Sequence, residues 1–248
     1  MKYLSIIIFV LLISNNIYAD FLWNKKCINA YSLIIQLKFD KAELILEEEI
    51  KENPNNSLVY FIENYSDYLK TLISEEKKDF EKLKKNKEIR LNFIIKDRSS
   101  SPWYLYSQAE IHLQTAANRL KFGEYFYAAI EINKSYRLIQ KNYKLFPKFI
   151  PNKKSLGLLY ATIGSIPEKY HWILNSLGIE GNINSGLKLI NESIQEIKDS
   201  KNFEVLLEET YFLYSFLKMN LDNNNDDLKT ILSEIKDNDN LLLKFASS

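Results

Sequence analysis

SPWYLYSQAEIHLQTAANRLKFGEYFYAAIEINKSYRLIQKNYKL, residues 101–145, decides the fold. Trp103, Tyr106, Ala109, Leu113, Ala116 and Leu120 recur at steps of three and four, which places them on one face of an α-helix. Ser101 is a natural N-cap, and Pro102 suits the first helical position, where no amide hydrogen is needed. After Lys121-Phe122-Gly123 the register restarts with Tyr125, Ala128, Ile132, Tyr136, Ile139 and Tyr143. Two amphipathic helices joined by a glycine-containing turn make an αα-hairpin.

The same grammar extends outward. Residues 22–37 and 41–53 are expected to pair as helices, with Phe39-Asp40 at their turn. Pro54-Asn55-Asn56-Ser57 stops the second of them and offers Ser57 as a cap for a helix over 58–73. Glu75 to Arg98 carries mixed charge with sparse apolar spacers at Phe80, Leu83, Ile89, Leu91 and Phe93. It reads as a long exposed helix with a pause near Asn86. Beyond residue 145, two prolines make Phe146 to Asn152 a stiff loop. Helical stretches follow near 154–163, 167–177, 184–199, 203–220 and 227–236, and no alternating β pattern occurs.

Composition agrees. The 248 residues are 46% apolar and 26% charged, enough to fold around a core, and 6 Gly with 5 Pro are too few for the turns of a β-sandwich. The single Cys27 excludes a disulfide framework and any multi-cysteine zinc site. Lys2 followed by the apolar run Leu4 to Ile13, with Ile17-Tyr18-Ala19 before Asp20, reads as a signal peptide over residues 1–19. Its apolar run is far shorter than the roughly 20 residues of a spanning helix. The expected address is therefore export, to a periplasm or outer-membrane setting. Without its leader the chain is formally neutral, which argues against nucleic acid as a partner.

Hairpins in series call for a search at a period of about 34 residues. Ala42, Leu46 and Pro54 fit the second helix and closing proline of a tetratricopeptide unit. Gly123, Ala128 and Ile132 repeat the theme, with Ala116 as the small contact on the preceding helix. The frame is degenerate: Glu49 stands at a usually small position and Gln140 where the closing proline belongs. The fold class is all-α, with a tetratricopeptide-like α-solenoid of stacked hairpins and another helical bundle as the two candidate architectures. Residues 20–98 supply the first hairpins and the long charged helix, and 99–248 a continuous array.

Asn142-Tyr143-Lys144-Leu145-Phe146-Pro147, Pro151-Asn152-Lys153-Lys154-Ser155-Leu156-Gly157, Gly164-Ser165-Ile166-Pro167, Leu177-Gly178, Gly181 and Gly186-Leu187 form a proline-then-glycine series. Over about residues 100–200 this resembles the tetratricopeptide repeat protein 39 and inclusion-body-clearance family. The resemblance implies a helical-repeat protein without a catalytic centre or cofactor that binds other proteins, often at a membrane. Members of that family run through further repeats, so the apolar ending Leu241 to Ser248 raises the expectation of a truncated frame or an end that needs a partner.

For function, the expectation is a non-catalytic protein-binding or scaffold module presenting a concave helical surface, with Tyr106, Tyr125, Tyr136 and Tyr143 as the partner-binding candidates. The alternative is a lipid- or polyanion-binding protein. No acidic residue lies between Ile132 and Pro167, where Lys134, Arg137, Lys141, Lys144, Lys148, Lys153 and Lys154 gather. A toroidal enzyme would need a deep pocket gathering Glu168, His171 and other acids. The Glu168-x-x-His171 spacing matches a di-iron ligand pair, but Ala109 precedes His112 where the second copy needs Glu, so no metal is expected. Cys27 reads as a packed thiol, and Gly178 to Gly186 as a helix cap followed by close helix packing.

Overall fold

The computed structural model describes residues 21–96, 100–168 and 171–221, all-α with no strand among them. The signal peptide expected over 1–19 and the helix expected over 227–236 lie outside the described residues. In chain order the helices are α1 (Lys25–Ile35), α2 (Phe39–Glu52), α3 (Leu58–Ser74), α4 (Lys77–Lys96), α5 (Pro102–Lys121) and α6 (Tyr125–Leu145). There follow α7 (Pro151–Gly164), α8 (His171–Leu177), α9 (Ile183–Lys198), a 3-10 turn at Glu204–Leu206, and α10 (Leu207–Leu221).

Caps explain most boundaries. Ser101 Oγ accepts from the Trp103 amide at 3.3 Å and Pro102 opens α5. At α3 the expected cap Ser57 makes no such bond; Asn56 Oδ1 takes the Leu58 amide at 3.2 Å and the Leu22 amide at 3.0 Å. One side chain thus starts a helix and pins the segment entering α1. Two other departures have local causes. Helix α4 runs unbroken through Asn86, whose amide reaches across to Asp67 at 2.9 Å instead of competing for its own backbone. Helix α7 begins at Pro151 rather than near 154, because proline is well suited to a first turn.

Helices α1 with α2, α3 with α4, and α5 with α6 are joined by short turns and pack as neighbours; α7 pairs with α9, and α10 lies against α9. Successive pairs also touch in order: α1 meets α3, α3 meets α5, and α2, α4 and α6 meet α3, α5 and α7. Ala42, Leu46, Ala116, Ala128 and Ile132 are buried at these contacts, and Pro54 sits in the turn between α2 and α3. Gly123 takes φ +76° to end α5 and start α6. The α7–α9 crossing is closer still. A methyl group on Gly186 would stand 2.5 Å from the Ala161 amide nitrogen and 2.5 Å from the Gly157 carbonyl oxygen.

The last elements return to the first. The 3-10 turn packs on α1, Trp23 Nε1 donates to the Asn202 carbonyl at 2.9 Å, and Tyr31 donates to Glu209 Oε2 at 2.7 Å. One apolar core runs from Cys27 to Leu206 across both halves of the chain, centred on Trp103, which stacks on Trp23 at 4.7 Å and meets Phe149 edge-on at 4.9 Å. Trp103 of α5 thus meets rings from near both ends of the described chain, Trp23 and Phe203.

Candidate functional site

The interior holds a polar cluster. Lys154 on α7 lies 2.9 Å from Glu209 on α10 and 3.7 Å from Glu110 on α5, and all three side chains are nearly inaccessible. Tyr31 bonds Glu209, Ser155 Oγ donates to Glu110, and Tyr106 lies 3.4 Å from the same hydroxyl. Burial pulls the Lys154 ammonium down, but Glu110 and Glu209 outweigh it and hold the group well above the ordinary lysine range. Glu110 moves the other way from a normal ion-pair partner: burial pushes its carboxyl up more than Lys154 and Ser155 bring it down. The distances agree with this, since the ammonium lies closer to Glu209 than to Glu110. Tyr106, expected on a binding surface, is 1% exposed and belongs to this cluster. Lys154, expected to bind anions, is consumed in it.

A second buried network joins α4, α5 and α6. Lys87 meets Glu131 at 2.6 Å, and His112 Nδ1 lies 2.5 Å from the other Glu131 oxygen. Arg119 and Lys84 both hold Glu124. Burial pushes the Glu131 carboxyl up, yet the bonds from His112 and Lys87 prevail and bring it down to about 2. Arg90 of α4 reaches Asp67 at 2.8 Å and Glu63 at 3.3 Å. The helix expected to be solvated thus turns Lys87 and Arg90 inward and leaves Ile89 and Phe93 partly exposed.

The surface tells a different story along α6. Lys134, Arg137, Lys141 and Lys144 follow one another at steps of three and four, Lys148 extends the line past the helix end, and all five are exposed. The first four span about 15 Å of helix axis. The ion pairs among the described residues engage other cations, and none of these five has a carboxylate partner there. Arg137 instead donates to Asn133 and to the Leu177 carbonyl, which fixes its guanidinium at the surface. Lys153 drops out of the expected anion-binding set because Glu196 at 2.6 Å and Glu192 at 3.2 Å neutralise it. Beside Lys141 an open groove is lined by Ser101, Tyr104, Leu105, Leu145 and Phe146.

The four tyrosines are not brought together. Tyr136 is buried, with its oxygen accepting the Glu180 amide at 3.3 Å, Tyr143 is half-buried against the core, and only Tyr125 stands free at 69% exposure. Tyr125 has company that periodicity did not single out: Phe126 is 74% and Tyr127 55% exposed, on the first turn of α6. Cys27 is buried, and burial, reinforced by the Glu49 charge, pushes its thiol up to about 12. Glu168 is exposed, and the side chain of His171 lies outside the described set. Among the described residues no group of three metal-binding side chains occurs, and no helix is long and apolar enough to cross a membrane. In comparisons with known proteins no family model, no curated protein and no solved structure matches the chain.

Proposed function

We propose that this chain is an exported, non-catalytic helical module, a degenerate tetratricopeptide-like array, that binds an anionic partner through the outer face of α6. The observation that carries the proposal is the contrast in how its cations are used. Lys87, Arg90, Arg119, Lys153 and Lys154 are each matched by carboxylates, whereas Lys134, Arg137, Lys141, Lys144 and Lys148 share one exposed line without any among the described residues. Single exposed lysines contribute little at physiological salt, but convergent ones add where the ligand carries closely spaced negative groups. The interior clusters favour a structural role over chemistry, because Lys154 with Glu209 and Lys87 with Glu131 are buried and paired with each other.

Retention on immobilised dextran sulfate tests this. The protein is expected to bind at low salt and to be released as the Debye length shrinks. Binding is lost in the triple variant Lys141→Glu, Lys144→Glu, Lys148→Glu. It survives in Lys25→Glu, Lys77→Glu, Lys201→Glu, which has the same net charge but alters other exposed sites. Equal loss in both triples would reduce the effect to overall charge and defeat the proposal.

A further inference from the structure

The anion-binding face continues at both ends into exposed apolar residues. Phe126, Ile130, Lys134, Arg137, Lys141, Leu145 and Lys148 step along α6 and just past it by fours and threes, so they share one line. Phe126 is 74%, Ile130 38% and Leu145 58% exposed. From Phe126 to Leu145 the line runs for about 28 Å. We propose that α6 seats the protein on an anionic lipid bilayer, with its cations on the phosphates and its apolar ends entering the headgroup boundary. This rests on the anion-binding reading of the same face and names its partner.

Three observations favour a bilayer over an acidic protein segment. Tyr125, Phe126 and Tyr127 are consecutive and all exposed, so on a helix they fan over about 200°. A docked helix or strand covers one stripe, whereas a fluid interface accommodates all three rings, and aromatic residues favour that depth. The charges beside this tip are already spent: Glu124 is held by Arg119 and Lys84, and Arg119 also lies over the Tyr127 ring at 5.2 Å. Little unpaired charge is left there to resist entry. At the other end, the groove floored by Leu105, Leu145 and Phe146 opens beside Lys141, which places an apolar slot next to a cation as a phospholipid requires. A surface helix with an apolar and a cationic side is the usual form of an interfacial contact.

The test is co-sedimentation of the purified protein with vesicles of phosphatidylcholine, alone or with about one-third phosphatidylglycerol, run beside dextran sulfate retention. The protein is expected on the anionic vesicles and not on the neutral ones. Lys141→Glu, Lys144→Glu, Lys148→Glu lowers vesicle partitioning by roughly a hundredfold or more, because each cation near the surface contributes about fivefold. Phe126→Ser, Tyr127→Ser lowers vesicle partitioning by at least about tenfold while leaving dextran sulfate retention unchanged. Both variants alter exposed residues, and circular dichroism confirms that they fold. Vesicle binding that is indifferent to Phe126→Ser, Tyr127→Ser overturns the bilayer assignment and leaves the anion-binding reading intact, as does dextran sulfate retention without vesicle binding. Equal partitioning onto neutral vesicles overturns the bilayer assignment by removing the role of charge. Failure to bind either probe overturns both readings.

Discussion

Replacing Lys154 with Met tests whether the interior polar cluster holds the two ends of the chain together. The substitution keeps volume and length but removes the ammonium that lies 2.9 Å from Glu209 and 3.7 Å from Glu110. Breaking a buried pair by deleting one partner costs about 3–5 kcal/mol, because the remaining carboxylate is left charged in a medium that solvates it poorly. With a urea m-value of about 2 kcal/mol per molar, the unfolding midpoint should fall by about 1.5–2.5 M at pH 7. The pH dependence carries the diagnosis. Burial already holds the Glu110 carboxyl above its ordinary value, and losing the ammonium that opposes this raises it further. A folded pKa above the unfolded one means that stability is present at low pH and lost as pH rises. The deficit of the variant should therefore shrink as pH falls from 7 toward 5. A further variant that also carries Glu110→Gln and Glu209→Gln should recover part of the loss at pH 7, since neutral amides are cheaper to bury than unpaired carboxylates. A midpoint for Lys154→Met within about 0.3 M of the parent at pH 7, or a deficit that does not narrow on acidification, would refute the reasoning.

Two further outcomes follow from other sites. Gly186→Ala pushes a methyl group to 2.5 Å from backbone atoms of α7. The overpacking cost of about 1–3 kcal/mol should exceed the gain in helix propensity, lowering the thermal midpoint by about 2–6 °C. A midpoint that rises would show that the α7–α9 crossing yields easily. Glu131, with its carboxyl near pKa 2, has a folded value below its unfolded one, so its contribution is complete above about pH 4.5 and disappears as pH falls toward 2. The size is about 3 kcal/mol. The gap in stability between the parent and Glu131→Gln should be widest at neutral pH and close across that window; a gap constant from pH 6 to pH 2.5 would contradict the assignment.

Local signals in the chain account for the helices better than for their surroundings. Ser101-Pro102, Gly123 and the 3–4 spacing of Trp103 to Leu120 specify α5 and α6 because caps, turns and periodic apolar faces act within a few residues. Asn56 rather than Ser57 caps α3 because Asn56 is also held by Leu22, 34 residues away, and by Glu49 on the preceding helix. The interior cluster was missed although a trace of it exists. Glu110 falls four residues after Tyr106 on the stripe that packs inward, an acid where an apolar residue is expected, and nothing local announces Lys154 or Glu209 as its companions. The basic stretch was visible as composition, but composition merged two kinds of lysine. Those on α6 keep step with the outer face, whereas Lys153 and Lys154 lie on α7 beside acids from α9 and α10. The exposed ring at Phe126 lay outside both the Tyr125-to-Tyr143 periodicity and the charge count.

The bonds from Tyr31 to Glu209 and from Trp23 to Asn202 bridge sequence separations of 178 and 179 residues. Linear repeat proteins tolerate the gain or loss of a unit, since each unit meets only its neighbours and the ends remain apart. Here an added or deleted hairpin would carry Glu209 away from Tyr31 and open the seam. Length is thereby locked to geometry.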